Sequence, residues 1–213
     1  KFQKKKKVKI IYCPPSTLIR PMSKKLKNSL IEVGAQNCHE NENFGAFTGY
    51  INSNMLRDVG AKYVIIGHSE NRYLGETNKL INLKIKSALK SGLKVIFCIG
   101  ETLKEKRKKK TKQVLSNQIK KGLSRIKNKN RIIVAYEPVW SIGTGLIPTS
   151  KELFETINFI KRKIKNYKVL YGGSVNPKNI VLLKSINNID GFLVGGASQD
   201  SKKFIDIIKK TYN

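Results

Sequence analysis

The sequence predicts an α/β fold built on a parallel sheet, on three observations. Short β-branched apolar runs alternate with longer amphipathic stretches, no linker or composition break interrupts them, and small or polar residues gather where each apolar run ends. At 213 residues a single domain spanning 1–213 is expected, long enough for a full core.

The elements follow in order. Val8 to Cys13 is the first strand-like run, and Ser16 to Ile31 carries helix-period sequence after it. Glu32 to Gln36 is the second strand, followed by a shorter helix over Asn52 to Val59. Tyr63 to Gly67 leads to a helix over Gly75 to Ser91, and Lys94 to Ile99 to one over Thr102 to Ile126. Arg131 to Tyr136 is a strand suited to burial on both faces, because it is β-branched and nearly all apolar. Its helix spans Ser150 to Asn166, with Thr149-Ser150 ahead of Glu152 as the start signal. Val169 to Gly172 precedes a helix from Pro177 to Ser185, started by Asn176, and Gly191 to Gly195 precedes Ser201 to Tyr212.

A parallel sheet of this kind is either doubly wound or closed into a barrel. Gln36-Asn37, His68-Ser69-Glu70, Gly100-Glu101, Glu137, Gly173-Ser174 and Gly195-Gly196 lie at the C-terminal ends of successive strands. A barrel gathers all of these on one face, whereas a doubly wound sheet concentrates its site at one switch point. The barrel explains more. Seven strands are visible, while a closed barrel of eight takes about 250 residues, so the shortfall is close to one βα unit.

Charge and composition exclude several classes. Lys and Arg number 43 against 14 Asp and Glu, a formal net charge of +29. Such a balance attracts polyanions and steers anionic substrates. Specific nucleic-acid binding needs that charge gathered on one face with aromatic readers, and here Lys is spread over every expected helix; only Lys4 to Lys7 and Lys104 to Lys110 are dense. Weak, salt-sensitive adhesion to nucleic acid is expected, and a specific nucleic-acid partner is not. No apolar run is long enough to span a membrane, so no membrane partner is expected. Cys13, Cys38 and Cys98 are odd in number, widely spaced and without metal spacing, which places the chain in a reducing cytoplasm. No metal or organic cofactor is expected.

The richest stretch is Tyr136-Glu137-Pro138-Val139-Trp140-Ser141-Ile142-Gly143-Thr144-Gly145. Pro138 forbids simple continuation of the strand, so Glu137 falls at its C-terminal edge. Gly143 and Gly145 let the following loop swing and bring N–H groups near a ligand, and Trp140 gives it an apolar body that excludes water. Taken alone, the segment reads either as a general base with a lid or as an ordinary connection with a solvated Glu.

Further motifs decide between these. Gly67-His68-Ser69-Glu70, Cys98-Ile99-Gly100-Glu101, Tyr136 to Gly145, Tyr171 to Pro177, Gly191 to Ser198, and Gln36-Asn37-Cys38 through Gly45-Ala46-Phe47-Thr48-Gly49 together resemble triosephosphate isomerase, in order and spacing, over nearly the whole chain from Val8. The resemblance implies a (β/α)8 TIM barrel, here apparently lacking the first strand and most of the first helix. It implies interconversion of dihydroxyacetone phosphate and glyceraldehyde 3-phosphate, with a small phosphorylated triose as substrate and no cofactor. Glu137 then matches the family's base and His68 its neutral electrophile. Glu70 matches a supporting carboxylate beside the site, while Asn71 departs from the usual Arg and puts a local salt bridge in doubt. Gly143, Ser174, Gly195 and Gly196 match the phosphate contacts. The Cys38 to Gly49 loop matches the family's interdigitating loop, with Thr48 near its tip reaching toward a partner, and implies a homodimer. His39 matches no catalytic position, and Cys98 reads as a buried core thiol.

In the family, a strand before Val8 ends in an Asn and a Lys that contact substrate, and neither has a counterpart here; the chain opens at Lys1-Phe2-Gln3. The expectation is an incomplete record of a longer enzyme, with little or no isomerase activity from residues 1 to 213 alone. The alternatives are a non-catalytic or truncated phosphate-binding barrel and a basic nucleic-acid-binding protein.

Overall fold

The computed structural model describes residues 8–212, so the Lys4 to Lys7 run and the Lys1-Phe2-Gln3 opening lie outside the described residues. Strands β1 (Ile10–Tyr12), β2 (Ile31–Ala35), β3 (Tyr63–Ile66), β4 (Lys94–Ile99), β5 (Ile132–Tyr136), β6 (Lys168–Tyr171) and β7 (Gly191–Phe192) follow one another in the sheet in chain order. The pairs β1–β2, β2–β3, β3–β4 and β6–β7 are parallel, with Ile10 opposite Ile31, Tyr63 opposite Lys94 and Leu170 opposite Gly191. Sequential parallel pairing requires a crossover after every strand, and helices supply it.

The chain forms two compact units. The first holds the chain up to Phe97 together with Lys120–Ile133; the second holds Cys98–Ile119 together with the chain from Val134 onward. In the first, β3 is buried along its whole length and packs with Val33, Leu56, Ile81, Ile85 and Val95 to Phe97. This is what an unbroken Tyr-Val-Ile-Ile run dictates when both faces of a parallel sheet are covered. In the second, Val134, Ala135, Val169 and Tyr171 of the strands and Leu115, Leu153, Ile157, Ile160, Ile180 and Leu183 of the helices are all buried. Leu153, Ile157 and Ile160 recur at helical spacing along α7 (Ser150–Lys163), which therefore buries one stripe and leaves its lysines outside.

Several elements differ from the sequence expectation, each for a local reason. The stretch from Ser16 to Ile31 forms a 3₁₀ turn (Ser16–Leu18) and a short helix, α1 (Ile19–Lys25), which stops at Leu26; the residues after it turn into β2. An unexpected single turn of helix, α3 (Ser69–Tyr73), precedes α4 (Asn78–Lys90), whose start is set by the Thr77 side chain accepting the Leu80 N–H. The long helix expected over Thr102 to Ile126 is two, α5 (Leu103–Arg107) and α6 (Thr111–Gly122), broken where Lys109 takes φ of 56°. Asn176 does not start a helix at Pro177. Its side chain accepts the N–H groups of Lys178 and Asn179 to close a turn, and the helix α8 (Ile180–Lys184) begins only after it. Strand β7 ends at Phe192 rather than Gly195. The short α2 (Ser53–Asp58), capped by Asn52, and α9 (Ser201–Tyr212) lie within their expected spans.

Candidate active site

Each unit carries its functional groups at the C-terminal ends of its parallel strands. In the first unit Asn37 follows β2 and His68 follows β3. The Asn37 side chain donates to Glu76 Oε1 at 2.8 Å, and Lys84, buried beside them, pairs with the same carboxylate. A fork of this kind ties the end of β2 to α4 without exposing either charge. His68 caps the turn of α3: the Glu70 N–H points at its Nδ1 at 3.4 Å. A nitrogen that accepts carries no proton, so the ring's donor is Nε2. The Glu70 carboxylate is 3.6 Å from Nδ1, too long for a hydrogen bond, and its side chain is 82% exposed. Arg72 donates to the Gly67 carbonyl at 2.7 Å and to Asn78 Oδ1 at 2.8 Å, which braces the His68 turn from below.

Also in the first unit, the Cys38 to Gly49 segment leaves Cys38 and His39 buried at its base and Thr48 exposed near its tip. His39 packs at a tilt against Phe47 and Tyr50, with ring centroids 4.6 and 4.8 Å away, and its Nδ1 accepts the Asn41 N–H. This is a structural histidine. Burial pushes the Cys13 and Cys38 thiols up to about 12, so neither is a nucleophile at neutral pH.

In the second unit Glu137 follows β5 and is only 3% exposed. Its N–H donates to the Ile99 carbonyl at 2.8 Å, which extends the ladder one residue past β5 and fixes where the side chain leaves the strand. Two glycines make room for it. A Cβ on Gly172 would stand 2.8 Å from Glu137 Cγ, and one on Gly100 would overlap the Glu137 carbonyl oxygen. Gly100 is itself clamped by Gln118 of α6, which accepts from its N–H and donates to its carbonyl, both at 2.9 Å. Glu101, buried next to it, accepts from the Trp140 indole N–H at 2.9 Å and from the Tyr136 hydroxyl at 3.2 Å. Burial pushes the Glu101 carboxyl above its ordinary value, partly offset by those donors.

The loop after Glu137 is drawn together by hydroxyls. Ser141, fully buried, donates to the Leu146 carbonyl and meets the Tyr171 hydroxyl at 3.1 Å. Ser174 donates to the Ser141 carbonyl at 2.6 Å and accepts the Gly145 N–H at 3.0 Å. Gly143 and Gly145, at φ of 69° and 78°, supply the left-handed turns that let the loop reach Ser174. Gly195 and Gly196 are exposed at the start of a 3₁₀ turn, Gly196–Gln199, closed by Ser198 onto the Gly195 carbonyl. Thus Glu137, Gly143 and Ser174 share one loop system, with Gly195 and Gly196 beyond the next strand of the same unit. Ser141, Gly100 and Gly172 were not singled out as site residues from sequence, since nothing in a lone Ser or Gly marks the neighbour it touches.

The triosephosphate isomerase family model matches residues 1–211. The chain belongs to the triosephosphate isomerase family. A triosephosphate isomerase of Thermodesulfovibrio yellowstonii is 44% identical over 205 residues, covering 92% of this chain and 83% of the relative. That of Dictyoglomus thermophilum is 45% identical over 212 residues, covering 94% and 85%. The crystal structure of triosephosphate isomerase from Bartonella henselae superimposes with a TM-score of 0.88 at 35% identity, over 95% of this chain and 86% of that one. The fold is therefore the α/β TIM barrel of the triosephosphate isomerase family, an isomerase enzyme family, and the sequence expectation of fold class and family is met.

Proposed function

We propose that the protein interconverts dihydroxyacetone phosphate and D-glyceraldehyde 3-phosphate by moving a proton between adjacent carbons through an enediol(ate). The observation that carries this reading is a carboxylate, Glu137, 3% exposed at a strand end and followed by a loop pinned to Ser174. Burial at the strand end holds the carboxylate in one place against a bound substrate, and a closed loop protects the enediol(ate) from side reactions. Glu137 takes the carbon-bound proton and returns it to the neighbouring carbon. His68 polarises the substrate oxygens through Nε2–H, a role supported by the Glu70 N–H directed at Nδ1. Glu70 acts on the turn that holds His68 through its backbone, its carboxylate being largely exposed.

Phosphate is held by N–H groups and a hydroxyl at Gly143, Ser174, Gly195 and Gly196, where loops after the last strands converge in folds of this kind. The chain works as one domain, because each compact unit is assembled from two separate stretches of sequence and no linker divides them. It works as a homodimer, with the Thr48 loop reaching the second copy; Phe44, Phe47 and Tyr50 are exposed on that loop and need a cover. A cytoplasmic location suits three cysteines, Cys13, Cys38 and Cys98, that are odd in number and widely spaced. Among the described residues no helix is long and apolar enough to cross a membrane.

Glu137→Gln in the full-length protein tests the reading. Turnover should fall by about 10²–10⁴-fold while inorganic phosphate still binds. Unaltered turnover removes Glu137 as the base, and loss of phosphate binding as well marks a folding defect instead.

A further inference from the structure

The basic run Lys104 to Lys110 reads from sequence as a solvated face, and Lys104 and Arg107 to Lys110 are indeed exposed. Lys106 behaves differently. The capping box at the start of α5, with the Thr102 hydroxyl on the Glu105 N–H and the Glu105 carboxylate on the Thr102 N–H, fixes the first turn of the helix. The Lys106 N–H follows onto the Thr102 carbonyl at 2.9 Å. This sends its side chain across Trp140, with Nζ 3.7 Å from the ring centroid. The same ammonium lies 3.5 Å from Glu152 Oε1.

These two contacts fall at opposite ends of the loop that covers Glu137. Trp140 sits in the 3₁₀ turn Val139–Ser141 where the loop leaves β5, and Glu152 belongs to the first turn of α7 where it ends. Glu152 uses its other oxygen, Oε2, to accept from the Thr149 N–H and hydroxyl, which leaves Oε1 for Lys106. The indole is likewise divided between two partners. Glu101 takes its N–H at the edge and Lys106 takes its face. An edge bond alone lets the ring turn about the Nε1–oxygen axis; a cation on the face removes that freedom.

We propose that Lys106 is a positioning residue for the lid, pinning the Trp140 indole at the loop's first hinge and the cap of α7 at its last, and so favouring the closed, phosphate-holding arrangement. The proposal rests on the isomerase reading above for its consequence in turnover, but the contact itself is readable without catalysis. Trp140 is the chain's single tryptophan, so its emission reports this hinge alone.

The test measures Trp140 emission in the full-length protein, with and without inorganic phosphate, for Lys106→Gln, Lys106→Arg and Glu152→Gln. Lys106→Gln should shift the emission and weaken phosphate binding by about three- to tenfold, the range expected of a partly exposed cation–ring contact. kcat/KM should fall by a comparable factor with the thermal midpoint unchanged, and Lys106→Arg should restore both. Emission and phosphate affinity unchanged in Lys106→Gln would overturn the proposal. So would a Glu152→Gln variant that reproduces the whole effect, since the ion pair to α7 would then suffice. Repeating the phosphate titration in a Glu137→Gln background separates the two readings, because turnover plays no part in it.

Discussion

Two loops leave the C-terminal ends of strands in this protein, and they are ordered in opposite ways. The loop after β5 satisfies itself. Ser141 holds Leu146, the Thr144 hydroxyl bonds the Trp140 carbonyl, and Ser174 anchors Gly145, so polar groups are matched within the loop or to the next strand end. The loop after β2 is tied mainly toward its base, with Glu42 paired to Lys90 and its tip turned on itself by the Phe47 and Tyr50 N–H groups. The His39 N–H closes onto the Ile51 carbonyl at 2.9 Å, and the side chains of Asn52 and Asn54 hold the carbonyls of Asn43 and Glu42. Beyond that base it exposes Phe44 and Tyr50, 75% and 64% accessible. The first loop needs no second molecule to match its polar groups, which fits the lid proposed for it. The second has apolar surface left over, as a segment completed by another molecule does.

The sharpest way to break this contrast is to shorten the segment from Cys38 to Gly49 in the full-length protein, which should convert dimer to monomer in sedimentation. A persistent dimer would remove that loop from the interface. A smaller effect is expected at the other loop, where Ser174→Ala deletes both bonds to the lid. Inorganic phosphate should bind about tenfold more weakly, the consequence of losing roughly 1–1.5 kcal/mol of hydrogen bonding, while the oligomeric state stays the same. Smaller again is Thr149→Ala, which removes the cap at the lid's far end; chemical denaturation should show about 1 kcal/mol lost.

The least effect is in pH dependence, where two carboxylates at the ends of that loop, Glu101 on Trp140 and Glu152 in α7, act with opposite sign. Hydrogen bonds from Thr149 hold Glu152 below its ordinary 4.5, so its contribution to stability is present above that value and lost as pH falls through the lowered one. Burial holds Glu101 above 4.5, so its contribution is fullest below that value and lost as pH rises through the raised one. Glu152→Gln should therefore flatten the stability profile on the acid side of 4.5, and Glu101→Gln on the alkaline side. Identical profiles for the two variants would show that these groups do not titrate as their surroundings dictate.

The strands were legible because buried parallel strands must be β-branched and continuous, as Tyr63 to Ile66 and Val95 to Ile99 are. The break between α5 and α6 was not, since an unbroken run of lysines offers no apolar period to mark a turn and Lys109 adopts positive φ without being glycine or asparagine. Glu137 and His68 could be placed at strand ends from sequence because each heads a recognisable segment. Ser141 could not, because what it does depends on three groups, at Leu146, Tyr171 and Ser174, that only folding brings to it. Lys106 was hidden for the converse reason: its composition matched its solvated neighbours, and only the phase of a one-turn helix singles it out.

The glycines around Glu137 also set a limit on how far this chain can change. Its excess of Lys is carried by helix surfaces, at exposed positions such as Lys104, Lys112 and Lys151, which can absorb compositional change. Gly100 and Gly172 cannot take part. Even alanine at either position would press a carbon into Glu137, at its backbone carbonyl oxygen or its Cγ, so that something there must shift. Mutational drift that the outside of the protein tolerates freely would, at those two positions, shift the residue proposed as the base.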